Sequence, residues 1–144
     1  MEDTGRRADF EREKAALLEI HQQHRQAHFN TDVDLLLAHS GDEFISVSNG
    51  EISRSTPAEQ RGFFEDYFKG ATYQEWDDLE PPIVRISDDA GMAWMIVRTR
   101  VRRTTRREGS EELRELQFVY AGIMTYKKQN GRWVQEANVS TFAR

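Results

Sequence analysis

The chain has 144 residues, 38% hydrophobic and 10% aromatic, the composition of one globular domain able to bury roughly 68–70% of its unfolded surface. A formal net charge of −5 argues against general nucleic-acid binding, and the lack of cysteine excludes disulfides, thiol nucleophiles and cysteine-ligated zinc. No apolar run approaches the roughly 20 residues of a membrane span, and the opening Met-Glu-Asp-Thr-Gly-Arg-Arg lacks the apolar core of a signal peptide, so a cytoplasmic protein with no membrane partner is expected.

In chain order, residues 1–8 are polar and read as a flexible lead into a single domain, residues 9–144. From Asp9 to Phe29 the pattern is helical, with Phe10, Leu17, Ile20, His21, His24 and His28 in one angular sector. Asn30-Thr31-Asp32 breaks that helix, and Asp32 can cap a short second one, Val33 to His39. A strand, Glu43 to Ser48, ends at the hairpin signal Asn49-Gly50. Thr56-Pro57-Ala58-Glu59 then carries a cap, a first-turn proline and a capping-box glutamate. The third helix so opened is expected to bury Phe63, Phe64, Tyr67 and Phe68 and to stop at Gly70. Strands resume at Tyr73, and Pro81-Pro82 marks an edge or a bulge.

Met92–Val101 and Leu116–Tyr126 read as two long strands around a charged turn at Gly109. Setting Arg106 opposite Glu112 and Arg103 opposite Glu115 fixes a register worth roughly 0.2–1 kcal/mol per charge pair. That register puts Trp94, Ile96, Arg98 and Arg100 on one face with Phe118, Tyr120, Gly122 and Met124. The other face takes Met95, Val97, Thr99, Val119, Ala121 and Ile123, an aliphatic patch suited to a homodimer through the outer face of the sheet. A last strand, Trp133 to Phe142, would add Glu136, Asn138 and Ser140 to that outer face. Helices gathered at one end of an antiparallel sheet make an α+β domain, and a bent sheet wrapped around them leaves a blind pocket.

The order of elements resembles the nuclear transport factor 2-like superfamily and, within it, the SnoaL-like domains. The likeness rests on Ala27-His28-Phe29-Asn30-Thr31-Asp32-Val33-Asp34, on Thr56-Pro57-Ala58-Glu59 with Phe63-Phe64, on Ser87-Asp88-Asp89-Ala90-Gly91-Met92-Ala93-Trp94, and on Asn130-Gly131-Arg132-Trp133 with Ser140. It implies a cone-shaped, cystatin-like fold with three N-terminal helices packed on a strongly curved antiparallel sheet. The superfamily includes isomerases, dehydratases, epoxide hydrolases, cyclases, transport factors and kinase association domains, so the likeness leaves function open. Steroid-isomerase-like members set carboxylates on inner faces, whereas the inner ribbon face expected here offers Arg98, Arg100 and Tyr120. Epoxide-hydrolase-like members flank an arginine with aspartates, whereas Arg98 has Ile96 and Arg100 beside it. Dehydratase-like members use a strand histidine, and this chain has none after His39.

The expected pocket has Trp94, Ile96, Tyr120 and Met124 as its floor, Tyr67 and Phe64 on its helical wall, and Arg98, Tyr120 and His28 as polar points. It suits a small apolar ligand, and Arg98 suits a carboxylate on it or pairs with an internal acid. His28 beside Asp32 is a candidate acid/base. His24 and His28 have the spacing of a two-histidine metal site, but no third ligand is identifiable, so neither metal nor cofactor is expected. The arginines from Arg100 to Arg107 interleave with glutamates and read as a self-paired hairpin tip. A small-molecule-binding domain is the leading reading. The alternatives are an isomerase, cyclase or dehydratase acting on a carbonyl compound, and a protein-association module using the sheet.

Overall fold

Helix α1 spans Glu2–Asn30 in a computed structural model that describes residues 2–143. It starts seven residues before the expected Asp9, because no proline separates the polar lead from the periodic segment; Met1 lies outside the described residues. Its end is a Schellman-type stop. Thr31 takes φ 48°, Asp32 N donates to Ala27 O at 2.8 Å and Thr31 N to His28 O at 3.2 Å. Asp32 then caps α2 (Val33–Leu36), its carboxylate accepting from Leu35 N at 3.0 Å. Strands β1 (Ser40–Ser48) and β2 (Glu51–Ser55) form the hairpin expected at Asn49-Gly50. Helix α3 (Pro57–Phe68) carries the full capping box, and Gly70 follows it at φ 71°. Five strands complete the chain: β3 (Ala71–Asp78), β4 (Ile83–Ile86), β5 (Met92–Arg106), β6 (Leu113–Gln129) and β7 (Arg132–Ala143).

The fold is α+β, with the helices against one face of a curved sheet ordered β2-β1-β7-β6-β5-β3, and with β4 also on β5. The pairing is antiparallel except between β1 and β7, which run parallel, so the sheet is mixed. Two core clusters hold the helices to it. Leu17 and Ile20 of α1 pack with Val84, Met95, Val97, Tyr126 and Trp133, and Ala27 and Phe68 pack with Leu36, Tyr73, Trp76 and Val101. Among the described residues no helix is long and apolar enough to cross a membrane.

The β5–β6 register differs by one residue from the charge-paired expectation. Arg106 faces Leu113, Arg103 faces Leu116 and Thr99 faces Tyr120. Tyr120 and Met124 keep their inward face, but Met95, Val97, Thr99 and Val101 join them there, while Ile96 and Arg98 turn outward and are exposed. The magnitudes decide this. Burying Met95, Val97 and Val101 gains roughly 1.5–3 kcal/mol each, against less than 1 kcal/mol for an exposed charge pair. The arginines find partners regardless: Arg100 and Arg102 approach Glu75, and Arg102 also approaches Glu115 at 3.8 Å.

A second shift lies in β7. The register steps between Thr125 and Tyr126, leaving Glu136 as the extra residue of a bulge whose carboxylate meets Lys127 at 3.3 Å. Beyond it Asn138 pairs with Met124 and Ser140 with Gly122. Both side chains therefore face inward, opposite to expectation. The outer face of the sheet carries Trp94, Ile96, Val119, Ala121, Ile123 and Val139 instead.

Candidate functional site

The helices and the concave sheet face enclose a cavity of about 590 Å³, within the usual range for small-molecule sites. One wall is aromatic. Phe63, Phe64 and Tyr67 come from α3, Trp76 from β3, Phe118 and Tyr120 from β6 and Phe142 from β7. Their rings run in contact: Phe118 on Phe142, Phe142 on Tyr120, and Tyr120 on Trp76 at 5.7 Å. Phe63, expected to be buried, is 63% exposed and stands at the mouth, because α3 turns that side away from the sheet. Burial pushes the Tyr120 phenol up to about 12, so it is a neutral hydroxyl at physiological pH.

His21, His24 and His28 all line this cavity, as helical spacing along α1 requires, and each has a different environment. His21 Nε2–H donates to both carboxylate oxygens of Asp78, at 2.9 and 3.0 Å. That contact fixes the tautomer and leaves Nδ1 with the lone pair in the neutral ring. His24 is driven down to about 3, by burial first and by its neighbouring histidines after that, and its Nε2 has no hydrogen-bond partner among the described residues. His28 Nδ1 donates to His24 O at 2.6 Å, and burial lowers its pKa to about 4. Tyr67, Phe68 and Tyr73 meet the His28 ring edge-on. Behind them, Arg103 lies over the Tyr67 ring at 4.9 Å and donates to Tyr73 Oη at 3.2 Å. No group of three or more His, Asp or Glu among the described residues is placed to hold a metal ion.

A neighbouring stretch of the lining is polar without being charged. Ser53, Ser46 and Asn138 are successive partners across β2, β1 and β7, so their side chains stand in one row on the cavity side. Gln60 faces the same cavity from α3. Gln60 Nε2 and Asn138 Oδ1 have no protein partner among the described residues. Among the described residues the lining contains no lysine or arginine and one carboxylate, Glu59, which accepts from Thr56 N in the helix cap.

Five expected residues meet at this site: His28, Phe64, Tyr67, Tyr120 and Met124. Four do not. Trp94, Ile96 and Arg98 fall on the other side of the sheet with the β5 slip, and Asp32 is committed to capping α2. The sequence reading missed the His21–Asp78 pair, Gln60, Trp76 as a cavity wall, and the Ser53–Ser46–Asn138 row. The bulge at Glu136 leaves no sequence signal of its own, whereas the helical sector that placed His24 and His28 already held His21.

No family model matches the sequence, and no curated protein sequence matches it. Solved structures do. A ketosteroid isomerase-like protein from Erwinia carotovora atroseptica superposes with a TM-score of 0.67 at 12% identity, covering 90% of this chain and 95% of that one. A nuclear transport factor 2-like protein from Cytophaga hutchinsonii gives 0.66 at 17% identity, over 90% and 98% of the two chains. A nuclear transport factor 2-like protein with a cystatin-like fold from Novosphingobium aromaticivorans gives 0.68 at 11% identity, over 97% and 88%. The chain has the nuclear transport factor 2-like, cystatin-like fold.

Proposed function

We propose that this chain binds a small, uncharged, largely apolar molecule in the cavity between α1, α3 and the sheet. The observation that carries the reading is the lining: an aromatic wall, the neutral His24 and His28, and unpartnered amide groups, with no lysine or arginine among its described residues to meet an anion. The carboxylate-binding role expected of Arg98 has no support, since Arg98 lies outside. The test is titration with N-phenyl-1-naphthylamine, an uncharged aromatic probe. One probe per chain should bind, and Tyr120→Ala should weaken it by about tenfold or more. No saturable binding to the folded protein overturns the reading.

A second reading, turnover of a carbonyl compound by isomerisation or dehydration, is favoured by one contact. An imidazole oriented by Asp78 at the cavity wall can take a proton from a carbon acid while the carboxylate steadies the imidazolium. Exchange of the α-protons of a bound ketone for deuterium, lost in His21→Gln, would support it; equal exchange in both proteins would overturn it. The apolar outer face further suits a homodimer, through Ala121, Ile123 and Val139 on adjacent strands.

A further inference from the structure

The inner face of this sheet is divided in a way that core packing does not explain. On β5 and β6 it carries Met95, Val97, Val101 and Tyr126, a mostly apolar lining with the buried Thr99 among them. On β2, β1 and β7 the same face carries Ser53, Ser46 and Asn138 side by side, with Ser140 one pleat further along. Buried polar groups are expensive unless paired, and three residues lining this cavity, His24, Gln60 and Asn138, each bury an atom that has no protein partner among the described residues. Among the described residues Gln60, only 4% exposed, finds no acceptor for Nε2, and Asn138 Oδ1 meets no donor. The two amides come from different elements, α3 and β7, and the second reaches the cavity only through the Glu136 bulge. Neither contributes to a helix cap, a strand ladder or an ion pair.

We propose that Gln60, Asn138 and the Ser46–Ser53 row form an oxygen-reading subsite. It selects, for this cavity, a flat uncharged ring compound bearing two oxygen substituents, at least one of them a hydroxyl. The chemistry is complementary in both senses. Asn138 Oδ1 accepts a hydrogen bond and so requires a hydroxyl donor; Gln60 Nε2 donates and takes either a hydroxyl or a keto oxygen. The serine hydroxyls do both, extending the row toward the exposed edge at Ser53. The ring itself stacks on the adjoining aromatic stretch of Trp76, Tyr120 and Phe142. A ligand without oxygens would leave both amides unpaired in a dry site, so discrimination against it comes from the protein's own unmet groups.

The inference rests on the binding reading above, and the experiment separates the two. Naphthalene and 2,7-dihydroxynaphthalene are titrated into the full chain, following tryptophan emission. The dihydroxy compound should bind about tenfold or more tighter than naphthalene, each hydrogen bond to an otherwise unpaired group contributing severalfold. In the Gln60→Met, Asn138→Leu double variant the preference should vanish, and a cooperative thermal melt reports that the variant is folded. Should that variant not fold, Ser46→Ala with Ser53→Ala, on the half-exposed hairpin, should cut the preference at least threefold. If both compounds bind the natural chain equally, or the variants keep the preference, the subsite is refuted and the cavity remains a binding site. If neither compound binds, the binding reading fails and takes the subsite with it.

Discussion

His28 lies flat against Trp76, ring centroids 3.7 Å apart and planes inclined by 20°. The contact joins the helix that carries the histidines to the strand that carries the aromatic wall. It also buries an imidazole, 6% exposed, in a box closed edge-on by Phe68 and Tyr73.

That burial sets the acid limit of the fold. His28 titrates near 4 and His24 near 3 in the native state, below the ordinary 6.5. Between those values the unfolded chain binds more protons than the folded one, so stability is full above about pH 6.5 and falls as pH drops through 4. His28 alone amounts to a loss on the order of 3 kcal/mol. Urea midpoints measured from pH 7.5 to 4 should fall steadily, and His28→Phe should flatten part of the slope. A stability independent of pH over this window would contradict the buried, neutral placement.

The His21–Asp78 pair yields a different expectation. Asp78→Leu leaves the Nε2 donor of a buried histidine without its acceptor, at a cost of roughly 1–3 kcal/mol. Asp78→Asn retains an acceptor and should lose less. Equal melting temperatures for all three proteins would mean that the contact does not exist in solution.

Arg98 and Val97 test the β5 register from its two sides. Arg98→Met should leave N-phenyl-1-naphthylamine binding within about twofold, because Arg98 is on the solvent face. Val97, 3% exposed in the core, should not tolerate glutamate, and Val97→Glu should unfold the chain. Ile123→Glu, on the outer face, should keep the fold and halve the mass seen by sedimentation if the proposed dimer forms there. Loss of probe binding in the Arg98 variant would restore the even-numbered face of β5 to the cavity.

Around α3 the expectations are local. Thr56→Ala removes the side chain that accepts from Glu59 N and should cost roughly 0.5–2 kcal/mol. Gly70→Val should cost more. Gly70 sits at φ 71°, and a Cβ there would come within 2.7 Å of Arg106 O. Chemical denaturation of both variants checks the two sites together; unchanged midpoints would move the helix boundaries.

How much of this was legible in the sequence follows from the range of each signal. The capping box at Thr56 and Glu59, the hairpin at Asn49-Gly50 and the α1 histidine stripe are encoded within a few residues, and they stand where expected. The β5–β6 register is not local. It depends on which face of β5 meets Leu17 and Ile20, and weak charge pairs were the wrong guide to it. Tyr120 and Met124 kept their place because the face of β6 was read correctly. Trp94, Ile96 and Arg98 were displaced as a set, as a shift of one residue in a strand requires. Asn138 and Ser140 depended on a bulge that no residue in β7 announces.

The parallel pairing of β1 with β7 has a consequence for the order of assembly. The β1–β2 hairpin reaches the rest of the sheet only through β7, nearly the whole domain away along the chain. Closing so long a loop is slow, and its entropy is spent before the contacts that reward it are made. The aromatic wall on β3 and β6 can therefore form early, while Ser46 and Ser53 join it last. A nascent chain would pass through a state with an open, greasy half-cavity, and that state, not the finished domain, is where a chaperone or a ligand would have the most influence on yield.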